Sequence, residues 1–132
     1  NGFPSTQKIL ITGDLSVKTA NAPGGFVTWW WHISDVVRVG NEVFVLDPAI
    51  EPTRPLPVRE WIATMVPNPD TAQVAICSPY TYSINSDCGE LVDQSASALT
   101  DQFYYLDYEW TRQIELGRDP KLVLGEQPPW KK

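Results

Sequence analysis

The sequence is short of the residues that carry much of enzyme chemistry: among 132 residues there is one histidine, one methionine and two cysteines. Two cysteines and one histidine lack the paired spacing of a zinc site, so no metal is expected. Basic residues are also few, 10 against 16 acids, for a net charge of −6. That balance argues against a sequence-independent nucleic-acid binder, which needs a basic face. No apolar run reaches the ~18–20 residues of a membrane span, and no charged-then-apolar leader opens the chain. A mature secreted chain would already have lost its leader, so secretion stays open. Two cysteines permit one disulfide without demanding it.

Hydrophobic residues make up 42% of the chain, too many for a disordered segment and ordinary for a globular one. At this length one compact domain over residues 1–132 is expected, with a core that needs no staples. The acidic excess is local. Residues 87–119 hold eight acids and two bases, which accounts for the whole −6. The plain reading is a solvated helix face; the sharper one is a surface that steers basic partners.

Along the chain, Asn1 to Thr6 reads as an initial loop and Lys8 to Val17 as a strand or strand pair. Asn21 to Gly25 is a Pro/Gly loop. Phe26 to Val39, rich in aromatic and β-branched residues, reads as a long strand. Gly40-Asn41 is a two-residue hairpin turn, both types accepting positive φ, and Glu42 to Asp47 is the returning strand. Pro48 ends it, having no N–H to donate. The proline-rich Ile50 to Pro57 reads as an irregular connection. Val58 to Met65 is a helix opened by Pro57, with Val58, Trp61, Ile62 and Met65 at helical spacing. Pro67-Asn68-Pro69 closes it. Thr71 to Cys77 is a third strand, and Ser78 to Ser97 a polar loop. Leu99 to Leu116 is the clearest helix: Phe103, Leu106, Trp110 and Ile114 share a face, Ser97 or Thr100 is the N-cap, and Gly117 is the stop. The tail ends in Pro128-Pro129-Trp130. No internal repeat or low-complexity segment is present. The fold class expected is α/β of the α+β kind, mainly an antiparallel sheet with packed helices.

The lone His32 sits beside three tryptophans, a setting in which a packed histidine is commoner than a catalyst. The hairpin alters that balance. If Gly40-Asn41 is the turn, Val37 faces Phe44, Asp35 faces Leu46 and Ser34 faces Asp47. His32 is two residues beyond Ser34 on the same face, a diagonal neighbour of Asp47 at roughly 7–8 Å. An imidazole there can donate one ring N–H to the carboxylate and keep the other nitrogen as a base. That is the base-and-orienter half of a nucleophilic triad. A one-residue slip would put Asp47 on the opposite face.

These residues carry a resemblance. The run Ile11-Thr12-Gly13-Asp14-Leu15, then Trp29-Trp30-Trp31-His32, then Phe44-Val45-Leu46-Asp47-Pro48-Ala49, then Trp61, resembles the later part of bacterial protein-glutaminases. It extends from about Ile9 to Met65. The resemblance implies hydrolysis of glutamine side-chain amides in proteins or peptides, with release of ammonia, by a Cys–His–Asp triad. It implies a fold related to the papain and transglutaminase group, and no cofactor. His32 stands at the family's histidine and Asp47 at its aspartate. The family's cysteine lies on a helix several tens of residues earlier, which here would precede Asn1. The chain therefore resembles the C-terminal portion of such a catalytic domain, its nucleophile helix lying upstream or on another chain. The alternatives are a non-catalytic binding module on the same fold, a transglutaminase-like enzyme passing the acyl group to an amine, and a toxin deamidase acting on one host protein. The implied partners are a glutamine-containing substrate and a segment carrying the cysteine, with neither nucleic acid nor membrane.

For a secreted, extracellular chain with an even cysteine count, a Cys77–Cys88 disulfide is the first reading. The rival makes Cys77 a nucleophile for His32, against which it ends a strand rather than opening a helix. Strict alternation puts Trp30 on the His32 face, at the border of a cleft and in reach of substrate, and Trp29 and Trp31 on the other face, as core. Tyr80, Tyr82, Tyr104, Tyr105 and Tyr108 read as core or half-buried rather than as a carbohydrate platform.

Overall fold

The computed structural model describes residues 6–19, 24–85, 87–93 and 95–126. Residues 1–5, 20–23, 86, 94 and 127–132 lie outside the described residues, and with them most of the expected initial loop of Asn1 to Thr6, most of the expected Asn21 to Gly25 loop and the Pro128-Pro129-Trp130 tail. In chain order come β1 (Gln7–Lys18), β2 (Phe26–Val39), β3 (Glu42–Leu46), β4 (Leu56–Pro57), α1 (Val58–Met65), β5 (Gln73–Cys77), α2 (Ser95–Glu115) and α3 (Pro120–Leu124), with a 3₁₀ turn at Pro69–Thr71. The strands make one sheet in the order β4-β3-β2-β1-β5, and every pairing is antiparallel. The fold is α+β, as expected. Among the described residues no helix is long and apolar enough to cross a membrane.

The β2–β3 hairpin has the expected register: Val39 pairs with Glu42, Val37 with Phe44 and Asp35 with Leu46. Only Gly40 takes positive φ, at 62°, and Asn41 does not. Glycine at the first turn position is the signature of a type II′ turn, whose twist suits the flanking strands.

One face of the sheet carries Ile9 and Ile11 of β1, opposite Ser34 and His32 of β2. Helix α1 covers this face. Its Trp61, Ile62 and Met65 are buried with Ile9, Ile11, Leu15, Val17, Val36, Val45 and Leu56 in one cluster. Each such fully buried side chain contributes roughly 1.5–3 kcal/mol, and this layer is the core. Pro57 is the residue just before α1, at φ −54°, a value proline holds in advance.

Three expectations need correction. The Ile50 to Pro57 connection is not wholly irregular: its last two residues, Leu56 and Pro57, pair with Val45 and Phe44 as the edge strand β4. An edge strand tolerates proline because its outward N–H has no ladder partner to lose. Helix α2 begins at Ser95, so Ser97 and Thr100 lie inside it and neither caps it; the Thr100 hydroxyl donates back to the Ala96 carbonyl. Its stop is as expected: Gly117 has φ 71°, and the Gly117 and Arg118 N–H groups close onto the carbonyls of Ile114 and Gln113. Lastly, Tyr104, Tyr105 and Tyr108 are exposed rather than core, at 61–66%. On the expected apolar face, Phe103 and Ile114 are exposed and Leu106 and Trp110 half-buried. The core layer is already filled by α1, and α2 makes its main packing with α3. Tyr80 and Tyr82 are half-buried, as expected.

Candidate functional site

His32 and Asp47 meet as the hairpin register requires. His32 Nε2 lies 2.6 Å from Asp47 Oδ2, and the Asp47 side chain is 5% exposed against 19% for His32. Asp47 stands just past β3, where the chain turns tightly. Its carbonyl accepts the N–H groups of Ile50 at 3.1 Å and Glu51 at 2.9 Å. Beside it, Ser34 Oγ donates to the Leu46 carbonyl, which ties the strand ends together.

A third residue joins from α1. Trp61 Nε1 donates to the same Asp47 Oδ2 at 2.8 Å, and its ring lies 5.8 Å from the imidazole. Burial pushes the Asp47 carboxyl upward. The hydrogen bonds from His32 and Trp61, the charge of His32 and the Ala49 backbone N–H outweigh it, and the carboxyl sits below its ordinary value. An ionised carboxylate bound to Nε2 fixes the imidazole tautomer and leaves Nδ1 as the nitrogen able to take a proton.

The tryptophans do not alternate strictly as expected. Trp29, assigned to the opposite face, stacks on His32 with ring centroids 5.0 Å apart and planes 11° apart, and it packs against the core cluster. Trp31 is half-buried and outside that cluster. Trp30 is 63% exposed and meets Trp31 edge-on. The cause is a shift in register: Thr12 pairs with Trp31 but Leu15 pairs with Trp29. Gly13 and Asp14 therefore oppose Trp30 alone, and Gly13 has φ 146°. Such a bulge breaks the period of two and re-aims nearby side chains. Trp29, Trp30, Trp31, His32, Ile33, Thr28 and Tyr105 of α2 line one open groove of about 510 Å³.

Cys77 and Cys88 are joined in a disulfide, with Cα atoms 4.5 Å apart. It closes the loop that follows β5, where the Ser78 N–H donates to the Cys88 carbonyl and the fully buried Thr81 donates through Oγ1 to the Asp87 carbonyl. The position of Cys77 removes the rival reading. Cys77 pairs with Lys8, which pairs with Asp35, whereas His32 pairs with Ile11. Lys8 and Ile11 are three apart on β1, so Cys77 and His32 point to opposite faces. With both cysteines in the bond, the chain holds no free thiol. Among the described residues no three of His, Cys, Asp and Glu stand together as metal ligands.

The hairpin spacing in the sequence puts His32 beside Asp47 but gives Trp61 no part there. Its helical spacing marked it as core; its N–H found Asp47 only through the packing of α1 on the sheet. No curated protein matches the chain. Residues 2–65 match the family described as glutaminase, a stretch that runs from β1 through α1 and holds His32, Asp47 and Trp61. Over that stretch, just under half of its length, the chain is similar to the glutaminase family.

Proposed function

We propose that this chain supplies the base and its orienting carboxylate for hydrolysis of glutamine side-chain amides in proteins or peptides. The observation that carries the reading is the His32 Nε2–Asp47 Oδ2 contact inside the glutaminase-family stretch. The nucleophile is a cysteine outside these 132 residues, because both cysteines of the chain are bonded to each other. A segment carrying it has apolar surface to cover on the His32 face. There Val74 and Ile76 of β5, exposed at 40% and 48%, flank the buried Ile11 and Ile9. Trp30, exposed beside the same groove, is a contact for the substrate chain.

In the reaction, His32 Nδ1 takes the thiol proton, and the thiolate attacks the carboxamide carbon of glutamine. The tetrahedral intermediate collapses with breakage of the C–N bond, and His32 returns the proton to the leaving ammonia. Water, deprotonated by His32, then hydrolyses the thioester to glutamate and restores the thiol. Asp47 stays ionised throughout, orienting the ring and stabilising the imidazolium. The net change is amide plus water to carboxylate plus ammonia. A papain-like or transglutaminase-like arrangement of the complete site belongs to this same reading. A disulfide in the chain fits an extracellular setting.

The test is ammonia release from a glutamine-containing peptide. The chain alone is expected to release essentially none, since loss of a nucleophile costs on the order of 10⁶ in rate. The native protein with its cysteine-bearing segment present is expected to be active, and His32→Ala to abolish that activity. Activity that survives His32→Ala overturns the reading. Absence of any cysteine-bearing segment from the native protein, judged by intact mass, favours a binding module instead. Transfer to an added amine in place of water makes the enzyme a transglutaminase.

A further inference from the structure

The His32–Asp47 pair is held by a third group whose contribution the glutaminase reading leaves unassigned. A carboxylate turns easily about its last torsion, and either oxygen of Asp47 could face the imidazole. Yet the two side-chain donors converge on one atom: His32 Nε2 at 2.6 Å and Trp61 Nε1 at 2.8 Å both meet Oδ2. We propose that Trp61 is a positioning residue, its indole N–H locking Asp47 Oδ2 in line with His32 Nε2 so that Nδ1 stays aimed at the reacting thiol. That a thiol reacts there rests on the glutaminase reading; the geometry around Oδ2 does not.

Three features make Trp61 suited to this. It is fully buried, so its N–H has no water to compete for it, and the nearly buried Asp47 side chain has little water to replace it. Its helix is fixed relative to the carboxylate by a short path. Helix α1 follows β4 directly, and β4 pairs with β3, the strand that leads into Asp47. Its ring also lies beside the imidazole while Trp29 stacks on it. Ring tilt and carboxylate rotation are thus restrained by different residues. Around the imidazole β1 presents the apolar Ile11, β2 presents Trp29, α1 presents Trp61 and α2 presents Tyr105 across the groove. Asp47 is the charged side chain in contact with it among the described residues.

The experiment replaces Trp61 by 3-benzothienylalanine, which keeps the ring volume and puts sulfur where the N–H was, and separately by Phe. It uses the chain as it is, without assaying activity. Because His32 is the only histidine, its Nε2 proton gives a single, unambiguous NMR signal. In the native chain that proton is expected to be protected from exchange. In the isostere it is expected to exchange roughly tenfold faster, and the Asp47 carboxyl, having lost one donor, to titrate roughly one pH unit higher. The thermal midpoint of the isostere is expected to stay near the native one. An isostere that leaves both the Nε2 proton and the Asp47 titration unchanged shows that Trp61 acts by packing alone and overturns the proposal. The isostere decides this even if Trp61→Phe fails to fold. Failure here leaves the ammonia assay untouched, and failure there leaves this result standing, so the two readings fall separately.

Discussion

Replacing Asp47 separates what its charge does from what its shape does. The carboxylate accepts from Trp61 Nε1 and His32 Nε2 on one oxygen. Asp47→Ala removes both acceptor contacts. His32, at 19% side-chain exposure, can recover a partner from solvent. Trp61, fully buried, cannot, and an unsatisfied buried donor costs about 1–3 kcal/mol. Adding the cavity left by the side chain, we expect Asp47→Ala to destabilise by about 2–4 kcal/mol. Asp47→Asn behaves differently because both side-chain donors use the same oxygen, and one amide oxygen can accept both. Its cost is the weaker neutral hydrogen bonds and a poorer match to the Ala49 N–H, roughly 1–1.5 kcal/mol. Urea unfolding of the two variants against the native chain, at neutral pH and equal slope, gives the comparison. Equal losses for the two variants, or no loss for Asp47→Ala, would refute the argument that Trp61 depends on that oxygen.

Four further outcomes follow from the same structure. The Asp47 carboxyl lies below its ordinary value of 3.8, so its contribution is fully present above about pH 4 and is lost as pH falls through the folded value. The acid-unfolding curve of Asp47→Asn should therefore be flatter than the native one in that range, and parallel curves would contradict it. Replacing Cys77 and Cys88 together by Ser should lower stability by about 3 kcal/mol, the chain-entropy value for a loop of 11 positions, and should make unfolding insensitive to a reductant; two titratable thiols in the unreduced native chain would contradict the bond itself. Gly40→Ala should cost about 1–2 kcal/mol, since φ is 62° and a Cβ there meets nothing within 4 Å, leaving backbone strain as the cause. Asn41→Gly should change stability by less than about 1 kcal/mol, because Asn41 already has negative φ; chemical denaturation of both variants checks the pair.

The hairpin was legible in the amino-acid sequence because its determinants are local. A glycine at the turn sets the register, alternation sets the face, and together they bring His32 to Asp47 across 15 positions. The same holds for α1, whose apolar spacing and opening proline coincide with its observed span, and for the cysteine pair. Where reasoning from local pattern failed, a distant element had intervened. Strict alternation sent Trp29 away from His32, but the bulge belongs to β1 and is visible only once β1 is paired with β2. The apolar stripe of α2 read as a core face, yet which helix covers the sheet is settled by competition for one surface, and α1 holds it. Trp61 shows the limit most clearly. Its spacing determined that it would be buried, while its hydrogen bond to Asp47 depends on how a helix and a strand end are packed, a relation that neither segment encodes alone.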